Sequence, residues 1–320
     1  MLSFLINSAH ASSYMPFQGT EIAQKVDSLY GFLLIASLIS FLMLIGGMMY
    51  FAVKYKRRTE NDATPNITHN NTLEFSWSFI PFLIFMFVFV WGFLIHKDMR
   101  EAPEGAFEIQ VTGYQWGWQF DYKSGVRTNT EFAVPVGRPV KLVMTSTDVL
   151  HSFYVPAFRI KQDVIPGAYT SLWFDAKNPG DYRVFCAEFC GTSHSEMLAV
   201  LKVLPADEFE QWLLEKSKVK DLPLAERGRI LVEEGTCVAC HSMDDQRKIG
   251  PGFAGLWGSQ REFVDGTTVV ADENYIRESM LFPSKKIVKG YADQMNVQNL
   301  DDEQIQAIIE YFKTRAGETN

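Results

Sequence analysis

The chain has 320 residues, 47% of them hydrophobic and 14% aromatic, with 30 Lys+Arg against 38 Asp+Glu and a formal net charge of −8. That length suggests two or three domains at roughly 100–200 residues each. Its four cysteines fall in two tight clusters, "CAEFC" and "CVAC", which excludes a scattered disulfide framework and points to cofactor chemistry.

The N-terminal "MLSFLINSAHA" has Ala9 and Ala11 spaced as in a signal-peptide cleavage site, but its apolar run is short and no basic residue precedes it. A retained tail is expected. Two uncharged apolar runs follow, Tyr30 to Val53 and Phe75 to Ile95. Each reaches the ~20 residues needed to cross the hydrocarbon core of a bilayer. Between them "KYKRR", Lys54 to Arg58, is the densest basic cluster. By the positive-inside rule this loop is cytoplasmic, so both termini and everything after Ile95 are extracytoplasmic.

From Phe107 to Leu204 the pattern becomes short alternating segments: "FEIQVTGYQWGWQFDY", "PVKLVMTSTDVLHSFYV", "AYTSLWFDA", "GDYRVFCAEFC" and "EMLAVLKVL". Turn signals such as "NPGD" separate them, and the set predicts a β-sandwich or barrel. "PADEFEQWLLEKSKVKDLP" reads as a helix and linker. A last, loop-rich module has helical "LAERGRILVEEG" at one end and "DDEQIQAIIEYFKTR" at the other. The expected division is 1–100 for the tail and transmembrane hairpin, 101–204 for the β domain, 205–222 for the linker and 223–320 for the last module.

His151, Cys186, Cys190, His194 and Met197 all fall in the β domain. Thiolate, thioether and imidazole together favour copper; two His, one Cys and a weak Met make a single-copper electron-transfer site. The second cysteine lets two thiolates bridge two coppers that share one electron. A Cys186–Cys190 disulfide would leave His151, His194 and Met197 unexplained, and zinc has no use for Met197.

These residues carry a resemblance. "FCAEFCGTSHSEM" is similar to the copper-A loop of subunit II of the haem-copper cytochrome c oxidases, and "TSTDVLHSFYVPAFRIKQDVIPG" resembles that family's upstream histidine strand. A hairpin of two spans before a cupredoxin-like domain matches as well, over roughly residues 20 to 204. The resemblance implies side-chain copper ligation by His151, Cys186, Cys190, His194 and Met197, and by the backbone carbonyl of Glu188. It also implies that the Glu188 carboxylate reaches a magnesium ion at the boundary with subunit I. In "YQWGWQFDY" it makes Trp116 the residue over which electrons arrive, whereas composition alone leaves Trp116 and Trp118 as core or interface aromatics. Phe153 and Ala168 stand where the family often has Trp and Arg. Neither position is a copper ligand.

"CVACH", Cys237 to His241, is the attachment signature of a c-type haem. Two thioether bonds come from Cys237 and Cys240, and His241 becomes the proximal iron ligand. Zinc would need about four ligands, and no other histidine follows His194. A methionine is the usual distal partner in an electron-carrying haem. Met243 is too close in sequence, and Met280 sits on an expected helix face. Met295 lies in loop sequence and is chosen. The resemblance agrees, because small cytochromes c often read "GY…MP" here, although Asn296 replaces the proline. "GPGFAGLWG" also resembles that class, with the Pro251 carbonyl receiving the proximal histidine N–H. An all-α class I cytochrome c domain is therefore expected.

Glu74 stands at the cytoplasmic start of the second span, three residues before Trp77. An acid there is often a solvated helix end. The resemblance places it at the mouth of a proton-uptake route through subunit I. Taken whole, the resemblance implies the c-haem-fused (caa-type) branch of bacterial oxidases. Electrons would pass from an external donor, such as a soluble cytochrome c or an upstream complex, through haem c and copper A to haem a of subunit I. Oxygen is reduced there to water while protons are pumped. The expected location is the bacterial plasma membrane, with the large domains periplasmic and no nucleic-acid partner. About −7 of the net charge lies after Leu204, so basic donor surfaces would be attracted. A copper-A subunit of a nitric oxide reductase and a membrane-anchored electron shuttle are the alternatives.

Overall fold

The computed structural model describes residues 15–60, 66, 68–233, 235, 237–298 and 300–318. The N-terminal tail expected to be retained lies outside the described residues. The chain divides into two compact units, Met1–Ala102 and Pro103–Asn320.

The first unit contains helices α1 (Glu21–Lys54) and α2 (Asn71–Arg100). Thr20 caps α1 by accepting from the Ala23 amide at 3.0 Å, and Asn70 caps α2 by accepting from that of Leu73. At 1.5 Å per residue, the 34 residues of α1 extend about 51 Å, well beyond the ~30 Å hydrocarbon core. Both helices outrun the apolar stretches because the polar flanks are good helix formers with caps. The two touch through Phe32, which meets Phe87 edge-on at 5.6 Å and Trp91 at 5.8 Å, and through the Lys25–Asp98 ion pair at 2.5 Å. Most of their apolar surface is bare: Leu42, Met43, Phe85 and Phe89 are exposed. A water-soluble unit does not leave a surface of that extent uncovered, so the hairpin is a membrane anchor.

In the second unit ten strands form two five-stranded sheets. They are β1 (Phe107–Tyr114), β2 (Gly117–Tyr122), β3 (Arg127–Thr128), β4 (Glu131–Pro135), β5 (Val140–Ser146), β6 (His151–Val155), β7 (Ile160–Val164), β8 (Thr170–Phe174), β9 (Gly180–Cys186) and β10 (Leu198–Leu204). One sheet runs β3-β2-β1-β5-β8 and the other β4-β10-β9-β6-β7. The β1–β5 and β4–β10 pairs are parallel. Strict alternation in β5 sends Leu142 and Met144 inward, where Trp118, Phe120, Phe132 and Phe153 fill the space between the sheets. Two of the five segments read from the sequence are broken by turns, giving β1–β2 and β5–β6. β3, β4 and β7 were not read as separate strands. β3 has two residues, and β4 is buried on both faces, so neither alternates.

Helix α3 (Ala206–Ser217) lies in the segment expected to be a helix and linker, and it packs on the sandwich. Phe209 is buried edge-on against Phe107 at 5.6 Å, and Lys216 pairs with Glu131 at 2.9 Å.

The remaining residues form a helical module: α4 (Leu224–Glu233), α5 (Cys237–Cys240), α6 (Glu273–Leu281) and α7 (Asp302–Glu318). α4 and α7 cross at Gly228. A Cβ there would lie 2.0 Å from the Ala307 carbonyl oxygen, so only glycine permits the approach. Val232, Ile276, Met280, Ile305, Ile308 and Phe312 form the core beneath that crossing. The helices match the expectation; the addition is a two-stranded hairpin, β11 (Gln260–Glu262) with β12 (Thr268–Val270).

Candidate metal centres

The first cluster lies at one end of the sandwich. β6 opens with His151, β9 ends with Cys186, and the connection from β9 to β10 carries Cys190, His194 and Met197. The donor atoms of His151, Cys186 and Cys190 lie within 4.8 Å of one another. Both cysteines are free, with their sulfurs 3.8 Å apart. Cys190 Sγ lies 3.4 Å from His194 Nδ1 and 3.8 Å from Met197 Sδ. Cys186 Sγ lies 4.0 Å from His151 Nδ1 and 3.2 Å from the Glu188 carbonyl oxygen. The chain thus brings all six sequence-read positions to one place.

Charge around the two sulfurs is asymmetric. Burial alone would raise the Cys186 thiol, but hydrogen bonds with His151 and neighbouring backbone outweigh it and lower the pKa. Burial pushes Cys190 up, and the adjacent Cys186 charge pushes it further. Two thiolates this close in a buried site require compensating positive charge.

His151 is fully buried, and its Nε2 lies 2.8 Å from Asp148 Oδ1. Burial disfavours its charged form, but Asp148 and Cys186 together more than offset this and raise its pKa. The same bond commits Nε2 to Asp148 and leaves Nδ1 toward the sulfurs. Trp118 is a core residue, edge-on to His151 with ring centroids 6.0 Å apart. Trp116 is half-buried, and its Nε1 donates to the Cys190 carbonyl at 3.2 Å. Gln115 Nε2 donates to the same carbonyl at 2.5 Å. Gly191, at φ +120°, makes room for both; a Cβ there would lie 2.9 Å from Gln115 Nε2.

The second cluster is in the helical module. Cys237 and Cys240 sit at i and i+3 on the single turn of α5, so their thiols share a face. His241 extends that turn, its amide donating to the Cys237 carbonyl at 2.9 Å. Its Nδ1 donates to the Pro251 carbonyl at 2.7 Å, which frees Nε2. Phe253 stacks on the ring at 4.6 Å. Burial lowers the His241 pKa, keeping the imidazole neutral as a metal ligand must be. Burial likewise pushes the Cys237 thiol up to about 11.

These residues line a cleft with about 1450 Å³ of empty space, open solvent included. Met280 and Met295 both border it. Met280 is also built into the helical core, whereas Met295 is half-buried in a loop. Trp116 and Gln115 of the sandwich border the same cleft. Cys240 is half-buried beside the Ser193 hydroxyl; burial raises its thiol pKa, and the hydroxyl partly opposes that.

Glu74 lies in neither cluster. Its Oε1 accepts from the Asn70 amide at 3.2 Å, closing a reciprocal cap at the start of α2.

Three family models match successive parts of the chain: "Cytochrome C oxidase subunit II, transmembrane domain" over residues 8–95, "Cytochrome C oxidase subunit II, periplasmic domain" over 124–204 and "Cytochrome c" over 225–316. Cytochrome c oxidase subunit 2 of Alkalihalophilus pseudofirmus is 31% identical over 312 residues, covering 93% of this chain and 89% of that protein. The chain belongs to the cytochrome c oxidase subunit II family. The subunit 2 of Cereibacter sphaeroides is 29% identical over 235 residues, covering 61% of this chain and 77% of that protein. A solved periplasmic domain of subunit II of cytochrome oxidase from Bradyrhizobium japonicum is 30% identical, with a TM-score of 0.36, and covers 37% of this chain and 98% of that one.

Membership in the subunit II family accounts for both donor sets, with copper A in the sandwich and haem c in the helical module. The residues fit these groups. A soft, buried pair of thiols with two imidazoles and a thioether suits copper. A CxxCH turn beside a large apolar cleft, with the histidine Nδ1 already bonded, suits a covalent haem. The sequence reading did not single out Asp148, Gln115 or Gly250. Asp148 carries the one legible signal, a carboxylate three residues before a candidate ligand histidine.

Proposed function

We propose that the chain is the electron-input subunit of a respiratory cytochrome c oxidase. It passes electrons from an external donor by way of haem c and copper A to haem a of subunit I, where oxygen is reduced to water with proton pumping. The observation that carries this reading is the convergence of His151, Cys186, Cys190, His194 and Met197 around two free sulfurs 3.8 Å apart. When bound, the two groups supply one-electron redox chemistry and make no substrate bond.

On this reading Cys186, Cys190 and Met197, the Glu188 carbonyl, and His151 and His194 through the Nδ1 atoms that face the sulfurs would hold the copper pair. The Glu188 carboxylate is left for magnesium at the subunit I boundary. Cys237 and Cys240 would attach the haem, and His241 and Met295 would hold its iron. Trp116, bonded to the Cys190 peptide and bordering the haem cleft, sits where electrons would cross between the two sites. Both functional modules, 101–204 and 223–320, face the periplasm, joined through 205–222, and the hairpin of 1–100 docks on subunit I in the plasma membrane. Glu74 serves proton uptake in addition to its helix cap. If Glu74→Gln leaves turnover and proton uptake unchanged, that assignment is wrong.

Optical and EPR spectra of the purified complex, with metal analysis, test the whole. Expected are c-type haem, a-type haem and a mixed-valence copper pair together. One copper or none per chain in the sandwich would overturn the reading, and an isolated chain without haem a would favour an electron shuttle.

A further inference from the structure

We propose that Asn296 and Gln115 form a clasp that holds the haem-binding loop against the copper loop and fixes the separation of the two redox sites. The inference rests on the assignment of those sites above.

Asn296 Nδ2 donates to both acceptors of one residue of the sandwich, the Gln115 carbonyl at 3.3 Å and Gln115 Oε1 at 3.2 Å. Gln115 passes the connection on in two directions. Its Nε2 donates to the Cys190 carbonyl at 2.5 Å, and its backbone amide donates to Asp148 Oδ2 at 2.6 Å. Asp148 in turn holds His151. One side chain of the haem module is thus linked, through a single glutamine, to the peptide of one proposed copper ligand and the orienting carboxylate of another.

The position of Asn296 gives the link its meaning. It directly follows Met295, so the clasp acts on a segment, 293–296, that lines the cleft. Its own carbonyl accepts from Gln298 Nε2 at 2.8 Å, which stiffens the loop on the far side. Proline, common at this position in small cytochromes c, has no N–H to offer; asparagine supplies two.

Modules connected through a chain segment move relative to each other by default unless their interface is large and hydrophobic, so a polar link at the two sites is what would hold their separation. The step served is a one-electron transfer, in which the haem iron is oxidised by one electron and the copper pair reduced by one. No proton or bond is exchanged, so the separation and its spread govern the rate. The Asn296–Gln115 contact joins two neutral side chains, so it is insensitive to salt, unlike a charge-steered docking contact.

The test uses the purified oxidase complex with Asn296→Ala. The readouts are haem-to-copper electron equilibration after photoinjection and hydrogen exchange at 113–117 and 187–197. Expected is a transfer about 2- to 10-fold slower at both low and high salt, the factor by which losing about 0.5–1.5 kcal/mol of hydrogen bonding depopulates the docked arrangement. Faster exchange in both segments should accompany it, with the copper EPR and the methionine-to-iron band unchanged. Unchanged transfer and unchanged exchange would overturn the clasp while leaving the site assignments standing. Should Asn296→Ala lose the methionine band, Gln115→Ala decides: slower transfer with the haem spectrum intact supports the clasp, and unaltered transfer overturns it. A wild-type complex without the copper-pair EPR signal or c-type haem would instead overturn the site reading itself.

Discussion

Asp148 Oδ1 lies 2.8 Å from His151 Nε2, while the other ring nitrogen of His151 faces Cys186 Sγ at 4.0 Å. A carboxylate so placed fixes both the tautomer and the ring plane of the histidine, the proposed copper ligand. Asp148→Asn should therefore lower copper affinity by about 10–100-fold, the usual cost of losing an orienting partner. Copper titration against a competing chelator measures it. Affinity equal to wild type would show that backbone packing alone orients the ring.

Trp116→Phe keeps an aromatic ring between the proposed sites but removes the Nε1 donor to the Cys190 carbonyl. Electron input should slow, with the copper EPR retained. Full-speed input after the substitution would remove Trp116 from the path.

The two methionines at the cleft make opposite predictions. Met295→Ala should abolish the methionine-to-iron band with little effect on the fold. Met280→Ala should retain the band and destabilise the module by about 2–5 kcal/mol, because it empties a core position. Exchange of those two outcomes would make Met280 the distal ligand.

Gly250 packs against His241, the proposed haem ligand. A Cβ at 250 would lie 2.4 Å from His241 Cε1. Gly250→Ala should displace the imidazole and reduce the yield of holoprotein, read as haem staining per chain. A normal yield would mean that the 250–251 loop moves aside while keeping the Pro251 bond.

Glu131 bridges Lys202 at 3.0 Å and Lys216 at 2.9 Å, joining β10 and α3 to β4. Burial would raise its pKa, but the two lysines outweigh burial and lower it from the ordinary 4.5. A depressed carboxyl stabilises the fold above its unfolded pKa and loses that contribution as pH falls through the folded value. Glu131→Gln should therefore cost about 1 kcal/mol at pH 7, a partly exposed pair being screened. The gap between variant and wild-type melting temperatures should close below about pH 4. A constant gap across that range would point to packing instead of charge.

Much of this protein was legible in residue order because its chemistry is local. Two runs of ~20 apolar residues state a membrane hairpin, "CVACH" puts two thiols and an imidazole on one turn, and "CAEFCGTSHSEM" gathers four side-chain donors into one short connection. Tertiary structure decided what depends on distant partners. His151 reaches Cys186 only because β6 pairs with β9, and strand pairing over 35 residues leaves no local periodicity. The two-residue β3 and the doubly buried β4 lacked alternation for the same reason: their burial is set by the opposite sheet. The Asn296–Gln115 contact spans 181 residues between two modules, and nothing in either segment alone encodes it. Residue types fixed which metals could be held; the packing of one module on the other fixed how far apart they lie.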